Sequence, residues 1–302
     1  MTVLRDPLDV AAAAQLACLL EVSAPKPGNV SPNDSFGDVA YEHFLASAAA
    51  IGRPLGAAGD VALGRTIHRC VQATREWTRS NTNLGMVLLF APLARAACRI
   101  ATRARIDREE LRSAVAEVLA NTTVEDARET YAAIRLASPG GLGTSDDQDV
   151  ADEPTIPLRE AMQLAADRDD IAREYVTDFQ TTFEVAGPTL ELALHAGLGW
   201  NDAIVETFLT LLAARPDTHI ARRAGPLLAA SVSDQARSVL AEGGVRSVHG
   251  RHAIARLDTT LRGDGNLANP GTTADLTAAA IFVVLLGGGW HSRNGGIHAA
   301  SR

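Results

Sequence analysis

Several loops of the chain place polar side chains directly before a helical pattern begins. Asn81 and Thr82, Asp217 and Thr218, and Asp275 lie in such loops, each beside glycine or proline. Backbone N–H groups and the positive end of a helix dipole point into a loop of this kind, so several converging loops would form a site for phosphate. The same residue types cap helix N-termini, and capping explains any single loop equally well.

Lys26 is the only lysine of the chain and stands between Pro25 and Pro27. Two prolines stiffen the backbone around this compact positive charge, which suits an ammonium group aimed at phosphate. The alternative is an exposed loop lysine in a chain that otherwise uses arginine. Composition alone does not decide between the two interpretations.

The elements that must position these loops are helices. Alanine and leucine dominate, apolar residues recur at helical spacing, and no segment has the alternation of a strand. An apolar stripe from Leu158 to Phe183 predicts one amphipathic helix. Similar patterns cover residues 10–21, 41–51, 63–77, 84–100, 108–120, 124–137, 190–212, 220–241 and 274–286. The sequence therefore predicts an all-α fold, a single multi-helical domain over residues 1–302 with binding loops at helix N-termini.

Composition excludes several other classes of protein. The 302 residues are 46% hydrophobic and 21% charged, which is typical of a globular chain and not of a disordered one. A formal net charge of −8 argues against nucleic acid as the main partner, because phosphate-backbone binding needs a positive surface. Cys18, Cys70 and Cys98 are far apart and lack metal-ligand spacing, which indicates buried thiols in a reducing compartment.

No membrane partner is predicted either. The apolar N-terminal stretch follows Asp6 and Asp9 and reads as a first helix and not as a targeting segment. The tract from Leu276 to Leu286 runs into three glycines, short of the ~20 residues that a membrane span requires. We expect a cytoplasmic protein, and the sequence does not determine its oligomeric state.

Six motifs, taken together, resemble the triphosphoribosyl-dephospho-CoA synthase family. They occur in the family's order and approximate spacing over nearly the whole chain, and six in register are specific although each one alone is weak. The motifs are E-V-S-A-P-K-P-G-N-V at residues 21–30, Asp38 with Phe44 and Ser47, N-T-N-L-G at 81–85, A-I-R at 133–135, D-T-H at 217–219 with Arg223, and N-P-G-T-T-A-D-L at 269–276.

This resemblance implies an all-helical enzyme with a defined reaction. Members of the family join the ribose C1 of ATP to the 2′-hydroxyl of 3′-dephospho-CoA and expel adenine, which gives a precursor of a prosthetic group on an acyl carrier protein. Such a reaction builds positive charge on the ribose, so it needs a carboxylate near C1 or near the reacting hydroxyl. The triphosphate needs Mg²⁺ held by carboxylate oxygens, and cationic side chains for the remaining charge.

The resemblance also implies which residues do this work. Asp38, Asp217 and His219 are the catalytic candidates, and Asp217 and Asp275 are the candidate Mg²⁺ ligands. The candidate residues for binding nucleotide and phosphate are Lys26, Gly28, Asn81, Thr82, Gly85, Arg135, Thr218, Arg223, Asn269 and Gly271. The loops at Lys26, Asn81, Asp217 and Asp275 are then expected to open onto one pocket, because a metal-bound triphosphate is small.

The chain departs from the family pattern at several of these motifs. Phe36 occupies a histidine position, Asn83 and Leu84 replace a histidine and a lysine, Ala137 stands where the family has glutamate, and His219 replaces an asparagine. These differences predict a retained phosphate site and a changed site for the acceptor. The sequence thus predicts transfer to dephospho-CoA, with two alternatives: transfer to another cofactor precursor such as a methanopterin-type pterin intermediate, or a nucleotide-binding protein without catalysis. A purely structural scaffold would require every loop to be a cap by coincidence.

Overall fold

Alanine-rich segments without β-branched runs favour helix, and helices dominate the structure. The computed structural model describes residues 7–37, 39–100, 105–141, 143–263 and 266–290. Over these ranges the only strand-like pairings are isolated bridges between Ser31 and Asp34 and between Phe36 and Val39. The all-α prediction is therefore confirmed.

Fifteen α-helices are found in the described ranges. Their bounds are α1 Pro7–Ser23, α2 Tyr41–Ala50, α3 Gly52–Gly56, α4 Leu63–Arg75, α5 Leu84–Ile100, α6 Arg108–Ala120, α7 Val124–Ala137, α8 Leu158–Ala165, α9 Asp170–Val176, α10 Gly187–His195, α11 Trp200–Ala214, α12 Thr218–Ala224, α13 Pro226–Ala241, α14 Val248–Leu261 and α15 Gly271–Leu286. A π-helical segment, Thr181–Ala186, precedes α10, and a 3₁₀ turn, Gly244–Arg246, precedes α14.

Helix α15 lies at the centre of the fold. It packs against α1, α5, α10 and α11, and it is apolar on all sides from Leu276 to Leu286, as a helix surrounded by other helices must be. Phe282 on α15 contacts Phe90 on α5 with ring centroids 4.9 Å apart. The buried apolar residues of α1 through α15 form one continuous core. This core fixes the first turns of α5 and α15 side by side.

Three predicted helices are interrupted in the structure. The stripe from Leu158 to Phe183 is divided into α8, α9 and the π-helical segment, because the carboxylate of Asp169 accepts hydrogen bonds from Ile171 N and Ala172 N and starts a new helix. The 190–212 pattern breaks at Gly197, whose φ is +90°. The 220–241 pattern breaks at Gly225, whose φ is +95°, followed by Pro226.

The cysteine and membrane expectations can be compared with the described residues. Cys18 and Cys70 are buried, Cys98 is partly buried, and all three are free thiols. Among the helices in the described ranges, none has the length and apolar character needed to cross a membrane.

Candidate functional site

A cleft of about 1410 Å³ opens where the first turns of α5, α12 and α15 meet. The end of α7 and the loop that follows it, up to residue 151, form a further wall. Ten of the predicted site residues line this cleft: Asn81, Thr82, Gly85, Arg135, Thr218, His219, Arg223, Asn269, Gly271 and Asp275. The structure therefore brings together residues that are almost 200 positions apart in the sequence.

Four predicted site residues are not placed in the cleft. Lys26, Gly28 and Asp217 are described by the structure but do not line it. Asp38 lies outside the described residues, so its predicted catalytic role stays a prediction. All four predicted loops reach the cleft, since Asn29 and Val30 follow Lys26, and Pro216 and Thr218 flank Asp217. The side chains of Lys26 and Asp217 themselves do not line it.

Lys26 is turned into the protein. Its ammonium lies 2.9 Å from Glu21 Oε1, donates to Ala24 O at 3.2 Å and donates to Glu21 O as well, and the residue is 1% exposed. The prolines thus direct the side chain back onto the C-terminal end of α1, where a cation is favoured by the free carbonyls and the helix dipole. This geometry corrects the prediction that Lys26 binds phosphate, because its three N–H donors are already used.

Gly28 is required for backbone packing. It has a φ of +73°, and a Cβ at this position would lie 2.8 Å from the Cβ of Leu261 on α14. Its N–H donates to Asp258 Oδ1 at 2.8 Å. The predicted contact of Gly28 with nucleotide is therefore replaced by a contact with α14.

Asp217 joins two helix starts. Its Oδ1 accepts from Ile220 N at 2.9 Å, and its Oδ2 accepts from Thr273 N and Thr273 Oγ1, both at 2.7 Å. The residue is 1% exposed, and burial raises the pKa of its carboxyl. The predicted metal-binding and catalytic roles of Asp217 are therefore corrected to a double cap that ties α12 to α15.

We expect the Asp217→Asn substitution to lower the free energy of unfolding by about 1–3 kcal/mol, because an amide nitrogen must then face Ile220 N or the two donors of Thr273. Chemical denaturation measures this loss. Asp167→Asn, at an exposed position on the cleft rim, is the matched control. Equal stability of the two variants would contradict the double cap.

Asp275 is a partly buried carboxylate of the cleft without a hydrogen-bond donor among the described residues. It lines the cleft on the first turns of α15, and it accepts no hydrogen bond from the residues that the structure describes. Burial raises the pKa of Asp275 well above its usual range, and the nearby charges of Glu21, Asp217 and Asp169 raise it further, while Arg222 lowers it. A bound cation or a proton would therefore stabilise the carboxyl group of Asp275 in the folded protein.

Gly85 makes room for this carboxylate. A Cβ on Gly85, in the first turn of α5, would lie only 1.9 Å from Asp275 Oδ2. Any side chain at position 85 would displace Asp275 from the cleft. The N-T-N-L-G motif thus contributes a close approach of the α5 backbone to the carboxylate.

His219 lies between two arginines. Its Nδ1 is 3.3 Å from Arg222 Nη2, and its Nε2 is 3.5 Å from Arg223 Nη1. Burial lowers the pKa of His219 to about 4, and the two guanidinium charges act in the same direction. The imidazole is therefore neutral at pH 7, and it becomes an effective base only if a bound anion offsets the two arginines.

The lowered pKa predicts a pH-dependent stability. The unfolded chain protonates His219 near pH 6.5 while the folded chain does so near pH 4, so stability is lost as the pH falls through this interval. A shift of this size corresponds to a loss of about 3 kcal/mol. Denaturation of wild type and His219→Gln at pH 7 and pH 4.5 measures it. A wild type that loses no more stability than the variant would contradict a neutral, partly buried imidazole at position 219.

Arg135 holds a wall of the cleft in place. Its Nη1 donates to Val150 O at 2.6 Å, and Tyr131 Oη donates to Gln148 O at 2.7 Å on the same loop. Arg135 thus lines the cleft and also fixes the loop after α7. Its predicted contact with phosphate stays a prediction.

Charge is arranged unevenly along the cleft. Its lining contains the arginines Arg75, Arg79, Arg135, Arg168, Arg215, Arg222 and Arg223 and the acids Glu21, Asp147, Asp149, Asp167, Asp169 and Asp275. Arg215 pairs with Asp170 and Arg222 with Asp169, whereas the other five arginines have no carboxylate within 4.0 Å in the described part of the chain. The positive charges of these five arginines are therefore not neutralised by a neighbouring carboxylate of the described residues.

Three polar residues of the cleft, Arg222, Asn266 and Asp169, were not predicted from the sequence. Arg222 Nε, Asn266 Oδ1 and Asn269 Oδ1 are buried atoms without a hydrogen-bond partner among the described residues. Of the residues with these three atoms, only Asn269 was predicted. Asp169, the third residue that was missed, pairs with Arg222. The only signal for Arg222 was its place beside Arg223. Unpaired buried polar atoms are costly, and a ligand that supplied the missing partners at this end of the cleft would remove that cost.

The departures from the family pattern also lie in the cleft. Phe36, Leu84, Ala137 and His219 all line it. Arg262 holds Phe36 in place, with its guanidinium carbon 5.4 Å from the ring centroid and its Nη2 donating to Asn29 O at 2.6 Å. The altered residues therefore change the walls of the site itself.

Three comparisons agree on one group of proteins. The family model described as ATP:dephospho-CoA triphosphoribosyl transferase (CitG) matches residues 7–294. A protein of Archaeoglobus fulgidus whose crystal structure is described as that of a triphosphoribosyl-dephospho-CoA synthase superimposes with a TM-score of 0.62 at 28% identity, over 81% of this chain and 99% of that one.

Curated relatives carry related names. A protein of Pseudomonas aeruginosa (strain UCBPP-PA14) named as a 2-(5″-triphosphoribosyl)-3′-dephosphocoenzyme-A synthase is 37% identical over 106 residues, which cover 34% of this chain and 36% of the relative. The synthase of Pectobacterium atrosepticum is 29% identical over 248 residues, covering 80% of this chain and 69% of the relative. The alignment with the Pseudomonas protein thus spans about a third of each protein, whereas the family model spans residues 7–294. The chain therefore belongs to the ATP:dephospho-CoA triphosphoribosyl transferase family.

Proposed function

We propose that the protein transfers the 5-triphosphoribosyl group of ATP to the 2′-hydroxyl of 3′-dephospho-CoA and releases adenine. The observation that carries this proposal is the convergence of three helix N-termini, unpaired arginines and the unpartnered carboxylate of Asp275 in one cleft. Family membership supplies the reaction. Since ATP and CoA precursors are cytoplasmic metabolites, we also propose a cytoplasmic location.

The size of the cleft suits two nucleotide-sized substrates. Its volume of about 1410 Å³ exceeds the roughly 300–1,000 Å³ of a typical small-molecule site. The arginines are spread over α4, α7 and α12, so phosphates can be bound at more than one end. A transferase must hold donor and acceptor together, and this cleft offers the room.

The reaction exchanges one bond at ribose C1 for another. The bond from C1 to adenine N9 breaks, the bond from C1 to the acceptor oxygen forms, and the hydroxyl proton is balanced by the proton that adenine takes up. His219 is our candidate for accepting the hydroxyl proton once triphosphate has offset the charges of Arg222 and Arg223. Asp275, whose negative charge no protein donor stabilises, would favour the positive charge that develops on the ribose.

Mg²⁺ fits the residues present. Asp275 is a partly buried carboxylate near Glu21 and Asp169, and a divalent ion would offset both the burial and the like charges that raise its pKa. The described residues contain no cluster of three side chains that could hold a metal ion. Mg²⁺ does not require one, because it commonly uses one or two carboxylates together with substrate phosphates. Asp275 would hold the ion with Asp169 nearby, and the ion would neutralise charge on the triphosphate.

A changed acceptor is the second candidate. Phe36, Leu84 and Ala137 replace a histidine, a lysine and a glutamate of the family pattern, and all three line the cleft. The apolar side chains of these three residues remove charge from the walls of the cleft, while Arg222 and Arg223 on α12 keep their positive charges. An acceptor other than dephospho-CoA, such as a methanopterin-type pterin intermediate, would fit this change.

Adenine release tests the proposal. The purified chain is incubated with ATP, Mg²⁺ and dephospho-CoA, and free bases and nucleotides are separated by chromatography. We expect free adenine. Release of ADP or AMP would instead indicate phosphoryl or adenylyl transfer and would contradict the proposal. Adenine released only with pterin intermediates would favour the second candidate, and ATP binding without turnover would indicate a non-catalytic protein.

A further inference from the structure

The loop that enters α15 presents two hydrogen-bond acceptors without donors. The amide oxygens of Asn266 and Asn269 are buried, both residues line the cleft, and neither Oδ1 has a partner among the described residues. A buried acceptor without a donor is costly, and the cost disappears when a ligand supplies the donor. These two oxygens therefore match a ligand group that donates hydrogen bonds.

Phosphate cannot be that group. At neutral pH the triphosphate presents acceptor oxygens, which would repel the amide oxygens of Asn266 and Asn269 and which match the neighbouring arginines instead. This distinction separates the two asparagines from Arg222 and Arg223, whose guanidinium groups are donors only. One end of the cleft thus contains a set of donors and a set of acceptors side by side.

The loop geometry holds both asparagines close to the arginines. Asn266 O accepts from Arg223 Nη1 at 3.0 Å and from Asn269 N at 3.4 Å, and Asn269 O accepts from Gly271 N at 2.9 Å. Asn266 has a φ of +68°, a conformation that costs a non-glycine residue energy and that asparagine tolerates better than most. The turn therefore holds Asn266 and Asn269 close to Arg223, one of the predicted phosphate-binding residues.

We propose that Asn266 and Asn269 accept hydrogen bonds from the 2′- and 3′-hydroxyls of the donor ribose. In a nucleoside triphosphate the ribose is the donor-bearing group next to the phosphates, whereas the adenine amine lies beyond it. The inference rests on the proposed function for the identity of the donor as a ribonucleoside triphosphate. Hydrogen bonds to ring hydroxyls can also strengthen as positive charge develops at C1.

Binding of three nucleotides tests this assignment without turnover. Isothermal titration compares ATP with 2′-deoxyATP and 3′-deoxyATP, each with Mg²⁺, on wild type and on two variants. Asn266→Gly removes the amide where the positive φ suits glycine, and Asn269→Leu replaces the amide by an apolar group of similar size. Asn121→Ala, at an exposed position at the end of α6, is the matched control.

We expect wild type and the Asn121→Ala control to bind ATP about tenfold more tightly than at least one deoxynucleotide, the effect of leaving a buried acceptor unpaired. At least one of the asparagine variants should reduce that preference to within about twofold, while thermal unfolding reports an intact fold. Wild type without a preference, or variants that bind all three nucleotides more weakly but keep the preference, would overturn the inference.

Together with the adenine-release assay, the titration separates this inference from the proposed function. Wild type that prefers ATP over the deoxynucleotides but releases no adenine would leave the ribose site standing and would contradict the transfer. Adenine release without any hydroxyl preference would do the reverse. For Asn269→Asp, which keeps an acceptor oxygen, we expect weaker binding of every nucleotide and a retained preference for ATP; loss of the preference in this variant would count against the acceptor role.

Discussion

Asp275→Asn is expected to lower turnover by about 10²–10⁴-fold, the range that a positioned catalytic carboxylate contributes. The amide keeps the shape of the side chain but cannot hold Mg²⁺ or oppose positive charge on the ribose. Adenine release per enzyme under saturating ATP and acceptor measures the effect. Asp167→Asn, a charge change on the exposed rim of the same cleft, should retain most of the activity.

The stability of Asp275→Asn should be unchanged or slightly higher than that of wild type. The raised pKa means that ionisation of Asp275 costs more in the folded chain than in the unfolded one, so wild type loses stability as the pH rises from the usual carboxyl range to the raised pKa. The asparagine variant lacks this dependence. An active variant, or a variant that unfolds more easily than wild type at pH 7, would indicate that Asp275 has a structural role.

Lys26→Met is expected to lower the free energy of unfolding by about 3–5 kcal/mol, because Glu21 is then left as a buried carboxylate without its partner. The pair is 2.9 Å apart, and Lys26 is 1% exposed while Glu21 is 3% exposed. Urea denaturation measures the loss. The double variant Glu21→Gln, Lys26→Met should recover a large part of it, since no isolated charge then remains inside.

This pair of variants distinguishes the two interpretations of Lys26. A phosphate-binding lysine would give a Lys26→Met variant of near-normal stability with a raised KM for ATP. The structure instead predicts unstable protein whose residual folded fraction has a KM for ATP close to that of wild type. A stability loss below about 1 kcal/mol, as for surface ion pairs, would contradict the buried pair.

The sequence was informative about where the loops lie and less informative about where their side chains point. Clusters of proline, glycine and asparagine mark helix starts, and Asn81, Thr218 and Asp275 were found in this way. For Lys26 the same signal was misleading, because the backbone path through two prolines decides whether the ammonium faces solvent or α1. An acid five residues before the only lysine, in an apolar helix, was the available sign of an internal pair.

Other parts of the site depend on contacts between distant segments. Asp217 caps its own helix, as its position suggested, but its second contact with Thr273 is set by the packing of α12 on α15. Arg222 could not be distinguished from Arg223 by sequence, because only the position of Asp169 reveals which arginine faces it. The helix breaks at Gly197 and Gly225, in contrast, are marked in the sequence by the glycines themselves. The apolar spacing on both sides was nevertheless interpreted as one continuous helix.

The most direct test of the account follows the two ends of ATP at once. ATP labelled with ¹⁴C in adenine and with ³²P in the γ-phosphate is incubated with the protein, Mg²⁺ and dephospho-CoA. Triphosphoribosyl transfer predicts ¹⁴C in free adenine and an equal amount of ³²P in a new product that contains the acceptor. The account would be contradicted if ³²P appeared as free phosphate, or if ¹⁴C remained in ADP or AMP.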